Sequence, residues 1–245
     1  MFTLVIAILI FLVGYLLNMF YITVLYHRGL THNAVQIRPF MMKWLSWSGT
    51  WVTGLEPKAW ACMHRLHHLH SDTEKDPHSP VQNGVMGVWL AQYYSYREVI
   101  TKLNMQDSQL SQVVKDIPFG ISFLNRYSLS NLPYFLHAFI AFLLSFFSGY
   151  WVFGFAYFLG IMSHPIQGWM VNALAHRFGY RNFDTDDQSK NNLFVSFLVF
   201  GEGFQNNHHA FPARAKFSCR PYEFDFGYGL CWIAEKLGLV QILRN

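Results

Sequence analysis

Charge is scarce in this chain of 245 residues. Only 13% of them are Asp, Glu, Lys or Arg, against roughly 25% in an average soluble domain. The first 26 residues hold no charged side chain at all. A spanning helix needs about 20 apolar residues, so this run is long enough to cross a bilayer. The deficit argues against an ordinary soluble domain before any motif is read. No basic start and no small-residue cleavage site accompany the run, so it reads as a retained helix and not as a signal peptide. Cysteine is equally scarce. Cys62, Cys219 and Cys231 are odd in number and far apart. They make no CxxC pair and no thiolate spacing for zinc or an iron–sulfur cluster, which fits a reducing setting. Also missing are an internal repeat, a low-complexity linker, a second domain, and a fused electron-transfer module with haem or iron–sulfur ligands of its own. The net charge of +4 is small. It suits anionic lipid head groups or an anionic substrate and gives no reason to invoke nucleic acid.

The apolar stretches organise the rest. Residues 2–26 read as a first spanning helix, and 132–148 with 150–175 as a helical hairpin turning at Ser148–Gly149–Tyr150. The stretch 39–56 is apolar but short and carries Lys43 and Glu56. It reads as interfacial or re-entrant, because histidine clusters flank it and one crossing would put them on opposite sides. All 18 Lys and Arg fall in segments this topology places on one face, with Lys43 at the border. None precedes Arg28 and none lies in the 148–150 turn. The positive-inside rule then makes the histidine face cytoplasmic and the N-terminus external. Residues 58–131 and 176–245 form a cytosolic cap, helical near 58–70, 83–100, 190–207 and 226–243. The expected fold is a single-domain, all-α membrane protein over residues 1–245, its spanning helices topped by a helical cap.

What the chain has in quantity is clustered histidine. His27 and His32 lie in HRGLTH, His64, His67 and His68 in HRLHH, and His208 and His209 in NNHH, with His176 between the last two groups. Imidazole is the usual ligand for oxidation-active iron in a nitrogen and oxygen site. His64, His67 and His68 stand at i, i+3 and i+4, one face of a helix. Gln205, His208 and His209 repeat that spacing, and Asn172 and His176 are i and i+4. His27 and His32 are five apart, about 140° around an ideal helix, so a helix end between them, at Gly29, is expected. Singly, each histidine reads as a polar cap residue at a membrane interface. The four groups together read as a metal site. Asp72, Glu74, Asp76 and Glu202 punctuate the same regions and are placed to accept the second ring N–H of a ligand, or to be a solvated loop.

The strings HRGLTH, HRLHHLHSDTEKDPHSP, NALAHRFGYR and GEGFQNNHHAFP resemble the motifs of the membrane-bound acyl-CoA desaturases, the stearoyl-CoA (Δ9) branch in bacterial form. The resemblance covers roughly residues 20–217, with HxxxxH, HxxHH, DPH, NxxxH and xxxHH in order. It implies a mushroom-like helical fold whose cytosolic cap holds a histidine-rich di-iron site. It also implies an enzyme that puts a cis double bond into a saturated acyl chain with O2 and two electrons. The implied ligands of two non-haem irons are His27, His32, His64, His67, His68, His176, His208 and His209, with Asn172 holding a water. The ninth histidine of the pattern is here Gln205, a neutral oxygen donor; the front-end desaturases carry Gln at that place. The animal enzymes have two spanning helices before the first box, this chain one.

Substrate and partners follow from the same resemblance. The substrate is a fatty acyl-CoA, acyl-ACP or acyl-lipid. The donor is external, a ferredoxin, rubredoxin or cytochrome b5-type protein. The site is a bacterial inner membrane with the chemistry on its cytoplasmic face. Trp60, four residues before His64, matches a position near the acyl path. Arg65 and Arg126 are the basic groups placed to meet an anionic carrier. His78 belongs to a turn docked on the cap; His70, His137 and His164 match no ligand, and the latter two read as packing residues. Two other classes stay open: a histidine-rich di-iron hydroxylase of alkanes, sterols or carotenoids, and a non-catalytic metal- or haem-binding membrane protein.

Overall fold

A computed structural model of the chain describes residues 1–244. Helix α1 (Phe2–Met19) runs unbroken into a π-helical segment, Phe20–Thr31. Strand β1 (Val35–Ile37) follows, then α2 (Pro39–Thr53), α3 (Pro57–His70) and α4 (Pro80–Asn104). The short helices α5 (Ser108–Val113) and α6 (Phe123–Arg126) lead to an apolar pair, α7 (Leu132–Ser148) and α8 (Trp151–Ile161). Next come α9 (His164–Trp169), a second π-helical segment (Met170–Leu174) and α10 (Ala175–Arg177). The chain closes with α11 (Leu193–Leu198), α12 (Gln205–Ala210), α13 (Phe226–Lys236) and strand β2 (Val240–Ile242).

Phe2–Thr31 forms 30 residues of helix with mean hydropathy 2.5, the one helix among the described residues long and apolar enough to cross a membrane. It packs with α7 and α8 into an apolar bundle. Glycines let the backbones meet, as small residues do in membrane bundles. A Cβ on Gly160 would stand 2.4 Å from the Phe11 carbonyl oxygen, and one on Gly154 would stand 2.0 Å from that of Ala141. No larger residue fits at either crossing. Outward-facing Leu4, Val13, Phe135, Phe146 and Trp151 are all exposed.

Four expectations need correcting. The first helix does not end at Gly29. It widens to π geometry and carries both His27 and His32, the amide of His32 donating to the His27 carbonyl at 3.2 Å. Hydrogen bonds in that geometry run between residues five apart, so the two rings come to one side, edge to face with centroids 5.0 Å apart, and the 140° argument lapses. The stretch 150–175 is not one helix. It breaks after Ile161 and restarts at His164, where Pro165, lacking an N–H, suits a first turn and not an interior. Residues 190–207 split into α11 and α12 around left-handed Phe200 (φ 51°) and Gly201 (φ 89°). Residues 226–243 are helical only to Lys236. The chain then turns at Gly238 (φ 72°) and returns as β2, antiparallel to β1 with Val35 opposite Ile242. The fold is thus mostly helical with one small two-stranded sheet.

The main core lies under this sheet. Val24, Leu25 and Tyr26 of the π segment, Leu45 of α2, Ala59 and Cys62 of α3 and Val240 of β2 are all fully buried. Packing of this core against α3 sets the first two histidine boxes face to face.

Candidate metal centre

Helix α3 presents His64 and His68 on one strip and His67 on the next. The π segment adds His27 and His32, α10 adds His176, and α12 adds His208 and His209. The eight fall into two adjoining groups. In the first, ring nitrogens of His27, His32, His64, His68 and His208 lie within 4.8 Å of one another; in the second, so do those of His67, His176 and His209. Neighbours in sequence serve different groups: His67 and His68 part company, as do His208 and His209. The groups touch at His68 and His209, whose ring centroids are 4.4 Å apart.

Carboxylates fix which nitrogen faces inward. The Nδ1–H of His27 donates to Glu202 at 2.5 Å, that of His67 to Asp76 at 3.0 Å, that of His176 to Asp72 at 3.1 Å, and that of His209 to Asp187 at 2.5 Å. A neutral imidazole has one N–H, so in each of these rings Nε2 is left as a bare lone pair pointing into the group. Such carboxylate–histidine pairs are the usual outer support of a metal ligand. The His27 Nε2 lies 3.0 Å from the His208 Nε2, which lies 3.0 Å from the His68 Nε2. The Nε2 atoms of His32, His67 and His176 are buried with no hydrogen-bond partner. Lone pairs crowded this way repel unless a cation sits among them, and the set matches the nitrogen-rich donor shell of a transition metal. Burial, then the neighbouring imidazoles, hold His64, His68 and His208 well below the usual histidine pKa. The neutral form is the one that ligates metal.

Glu202 does a second job. Burial alone would raise its pKa, but His27 and Arg28 outweigh it and hold the carboxyl down to about 2. Arg28, fully buried, reaches Glu202 at 2.5 Å, Asp225 at 3.1 Å and the Ala215 carbonyl at 2.7 Å, and stacks on Phe217 at 3.7 Å. Thr23 also donates to Glu202. Asp187, Asp225 and Thr23 escape sequence reasoning. Asp187 sits in a polar run, DTDDQS, that looks like any solvated loop, and Thr23 and Asp225 lie in no motif.

Gln205 is in place. Its amide donates to the Glu202 carbonyl at 2.7 Å, which turns its Oε1 toward the His209 Nε2 at 3.1 Å. Asn172 lies in the second π segment on the wall of a cavity, its Nδ2 3.5 Å from Gln92 Oε1. Of the anticipated orienting acids, Glu74 is exposed and joins neither group.

The cavity, about 270 Å³, reaches the first group at His27 and His64. Trp60 lines it and stacks on His64, centroids 5.1 Å apart and planes 14° apart. The two arginines expected to meet substrate do not line it. Arg65 is consumed by structure, forked onto Asp116 at 2.6 and 2.8 Å and bonded to the Leu30, Thr31 and Val113 carbonyls. Arg126 stands exposed on α6, away from the cavity lining. His78 does more than dock a turn. It is buried, stacks on His67 at 4.6 Å and lines the cavity, both ring nitrogens unpartnered. His70 joins neither group. His137 packs by hydrogen bonds to Tyr157 and the Trp51 carbonyl, and His164 faces Tyr134.

Comparison with known proteins agrees with this arrangement. The sequence profile described as fatty acid desaturase matches residues 3–222. An sn-1 stearoyl-lipid 9-desaturase of Anabaena variabilis is 31% identical over 91% of this chain and 78% of its own. An acyl-CoA 5-desaturase of Anemone leveillei is 28% identical over 91% of this chain and 66% of its own. A Delta-9 acyl-lipid desaturase of Arabidopsis thaliana is 28% identical over 91% and 70%. With paired histidine groups beside an apolar cavity and a profile spanning nearly the whole sequence, the chain belongs to the fatty acid desaturase family of oxidoreductases.

Proposed function

We propose that the protein introduces a cis double bond at the Δ9 position of a saturated acyl chain, at a centre of two non-haem irons. The observation that carries this is the pair of adjoining histidine groups, the first of which reaches the inner end of an apolar cavity at His27 and His64. The overall change is R–CH2–CH2–R′ + O2 + 2e⁻ + 2H⁺ → R–CH=CH–R′ + 2H2O. Two bound irons supply the activation of O2 that breaking an unactivated C–H bond requires.

The chain's own residues do the rest. His27, His32, His64, His68 and His208 would hold one iron. His67, His176, His209 and the Gln205 Oε1 would hold the other, with Asn172 keeping a water at that centre. Glu202, Asp76, Asp72 and Asp187 fix the rings of His27, His67, His176 and His209 by taking their Nδ1–H. Trp60 walls the acyl path against His64 and, with the apolar lining, keeps water from the reacting carbons. Electrons come from an external ferredoxin, rubredoxin or cytochrome b5-type donor.

The disposition in the membrane is part of the same reading. Residues 2–26, α7 and α8 lie in a cytoplasmic membrane, the N-terminus is outside, and the histidine groups face the cytoplasm. α2 lies at the interface, its exposed Phe40, Trp44 and Trp47 on the lipid side. The deciding experiment is expression in a host lacking the activity, followed by fatty acid profiling with double-bond localisation. A cis Δ9 monounsaturated product is expected. A product carrying an added oxygen atom in place of two lost hydrogens would instead make the protein a hydroxylase.

A further inference from the structure

We propose that the acyl chain this cavity takes carries a hydroxyl group, and that His164 and Gln167 hold it. The proposal rests on the acyl desaturase reading and deepens it by naming a substituent on the substrate.

Much of the cavity wall is apolar, with Leu55, Trp60, Met63 and Val171 standing in it. A plain hydrocarbon chain asks for nothing else. Yet α9 adds two polar side chains to the same wall, His164 and Gln167. They are three residues apart, neighbours on one helix face, and only 7% and 5% exposed. Each keeps a buried polar atom with no hydrogen-bond partner, Nδ1 of His164 and Oε1 of Gln167. Buried polar atoms are normally paired, because leaving them dry costs free energy. His137 shows the usual arrangement, with both ring nitrogens hydrogen-bonded.

The neighbouring bonds fix what each free atom is. Ser163 Oγ donates to the Gly160 carbonyl at 2.8 Å, so it can only accept from Gln167 Nε2, at 2.7 Å. The amide therefore cannot be turned over, and the free Oε1 is an acceptor. The Tyr134 hydroxyl meets His164 Nε2 at 3.3 Å. Donation from that hydroxyl puts the proton of the neutral ring on Nδ1, which is then a free donor. One group answers both. A hydroxyl donates to Gln167 Oε1 while its oxygen accepts from the His164 Nδ1–H. A carbonyl would leave Gln167 unpaired, and a methylene would leave both unpaired.

The pair stands apart from the metal groups, and neither residue belongs to one. Eight positions separate His164 from Asn172 along the same wall, roughly 12 Å at helical rise. The hydroxyl thus marks a carbon away from those that lose hydrogen, and it survives in the product.

The test uses a host lacking the activity that expresses the protein. It is fed stearic acid together with one monohydroxystearic acid at a time. The hydroxyls are placed along the chain outside the reacting carbons, each supplied as separate enantiomers. Mass spectrometry gives the ratio of hydroxyoctadecenoate to octadecenoate made in the same cells. One positional isomer, in one hand, is expected to be desaturated in preference to stearic acid. In Gln167→Leu and His164→Phe, each missing one neutral hydrogen bond, that ratio should fall about fivefold. Uptake and activation are common to all strains and cancel in the comparison. Should a variant fail to fold, the wild-type preference and its dependence on the hand of the hydroxyl decide alone. Octadecenoate with no preference for any hydroxy isomer overturns the proposal, assigns the pair to a bound water and leaves the desaturase reading intact. A preference that both variants retain overturns it too. No unsaturated product of either kind overturns both.

Discussion

Arg28 and Asp225, 197 positions apart in sequence, face each other at 3.1 Å with side chains 0% and 1% exposed. The same guanidinium holds Glu202, and Glu202 holds His27. One cation thus ties the segment after the last histidine box to the first box. Arg28→Ala would leave two buried carboxylates without a counter-charge, a loss of about 3–5 kcal/mol. The expected outcome is a clearly lower melting temperature in detergent. Arg28→Lys keeps the charge but not the fork and should lose less. A melting temperature unchanged by Arg28→Ala would show that the network contributes little.

His208 and His209 are neighbours that serve different groups. Replacing either by Ala should therefore cost one metal and not both, giving about half the wild-type iron per chain by elemental analysis, with activity abolished in each. His67→Ala and His68→Ala should divide the same way. Complete loss of metal from a single replacement would mean that the two groups load as one.

Gln205 offers the second group an oxygen whose direction is fixed by the hydrogen bond its side-chain Nε2–H donates to the Glu202 carbonyl. Gln205→Leu keeps roughly the volume and removes the donor, so turnover should fall at least tenfold. Gln205→His restores a nitrogen donor and should retain activity. Unchanged turnover and iron in the Leu variant would make Gln205 a bystander.

These experiments bear on features of unequal legibility. Seven of the eight histidines stand in three local boxes and could be picked out by spacing, because the chemistry of imidazole is specific; His176 as a member of the set came with the family resemblance. Their division into two groups could not. It depends on a quarter-turn between His67 and His68 that shows only once α12 and α10 are docked. The π segment was equally hidden: Phe20–Thr31 carries no Pro and no pattern that separates π from α geometry. Arg65 shows what local sequence hides. A basic side chain looks free until its partner, here Asp116, is brought in from 51 residues away.

Acid should weaken the scaffold outside the metal groups as well. Glu223 accepts from Tyr180 at 2.7 Å, Asn182 at 2.7 Å, Asn207 at 2.9 Å and the Arg220 amide at 2.9 Å. Burial works against its charge, but these donors win and hold its pKa below the ordinary 4.5. A carboxyl depressed by folding contributes stability above its unfolded pKa and loses it as pH falls through the folded value. Glu223→Gln removes that contribution. The gap in melting temperature between wild type and variant should be constant above about pH 5 and shrink below it. A gap independent of pH would refute the assignment.

The membrane disposition has its own check. Arg28 is the first basic residue, and the turn at 148–150 has none. A cysteine probe at position 2 or 149 should react with an impermeant reagent in intact cells, and one at Lys75 should not. The reverse pattern would put the histidine groups outside.

Two places in the chain, His67–His68 and His208–His209, send adjacent side chains to different groups. Consecutive Cα atoms are fixed at 3.80 Å across a trans peptide. The spacing of the two centres is therefore gauged twice by a single peptide unit, once from each flank. Thermal drift of one helix against another can tilt or shift the pair as a whole. It can part the two histidine groups only by turning those side chains out of the rotamers that their packing and carboxylate partners hold. The spacing of the two histidine groups is in this way insulated from drift between the helices that carry them.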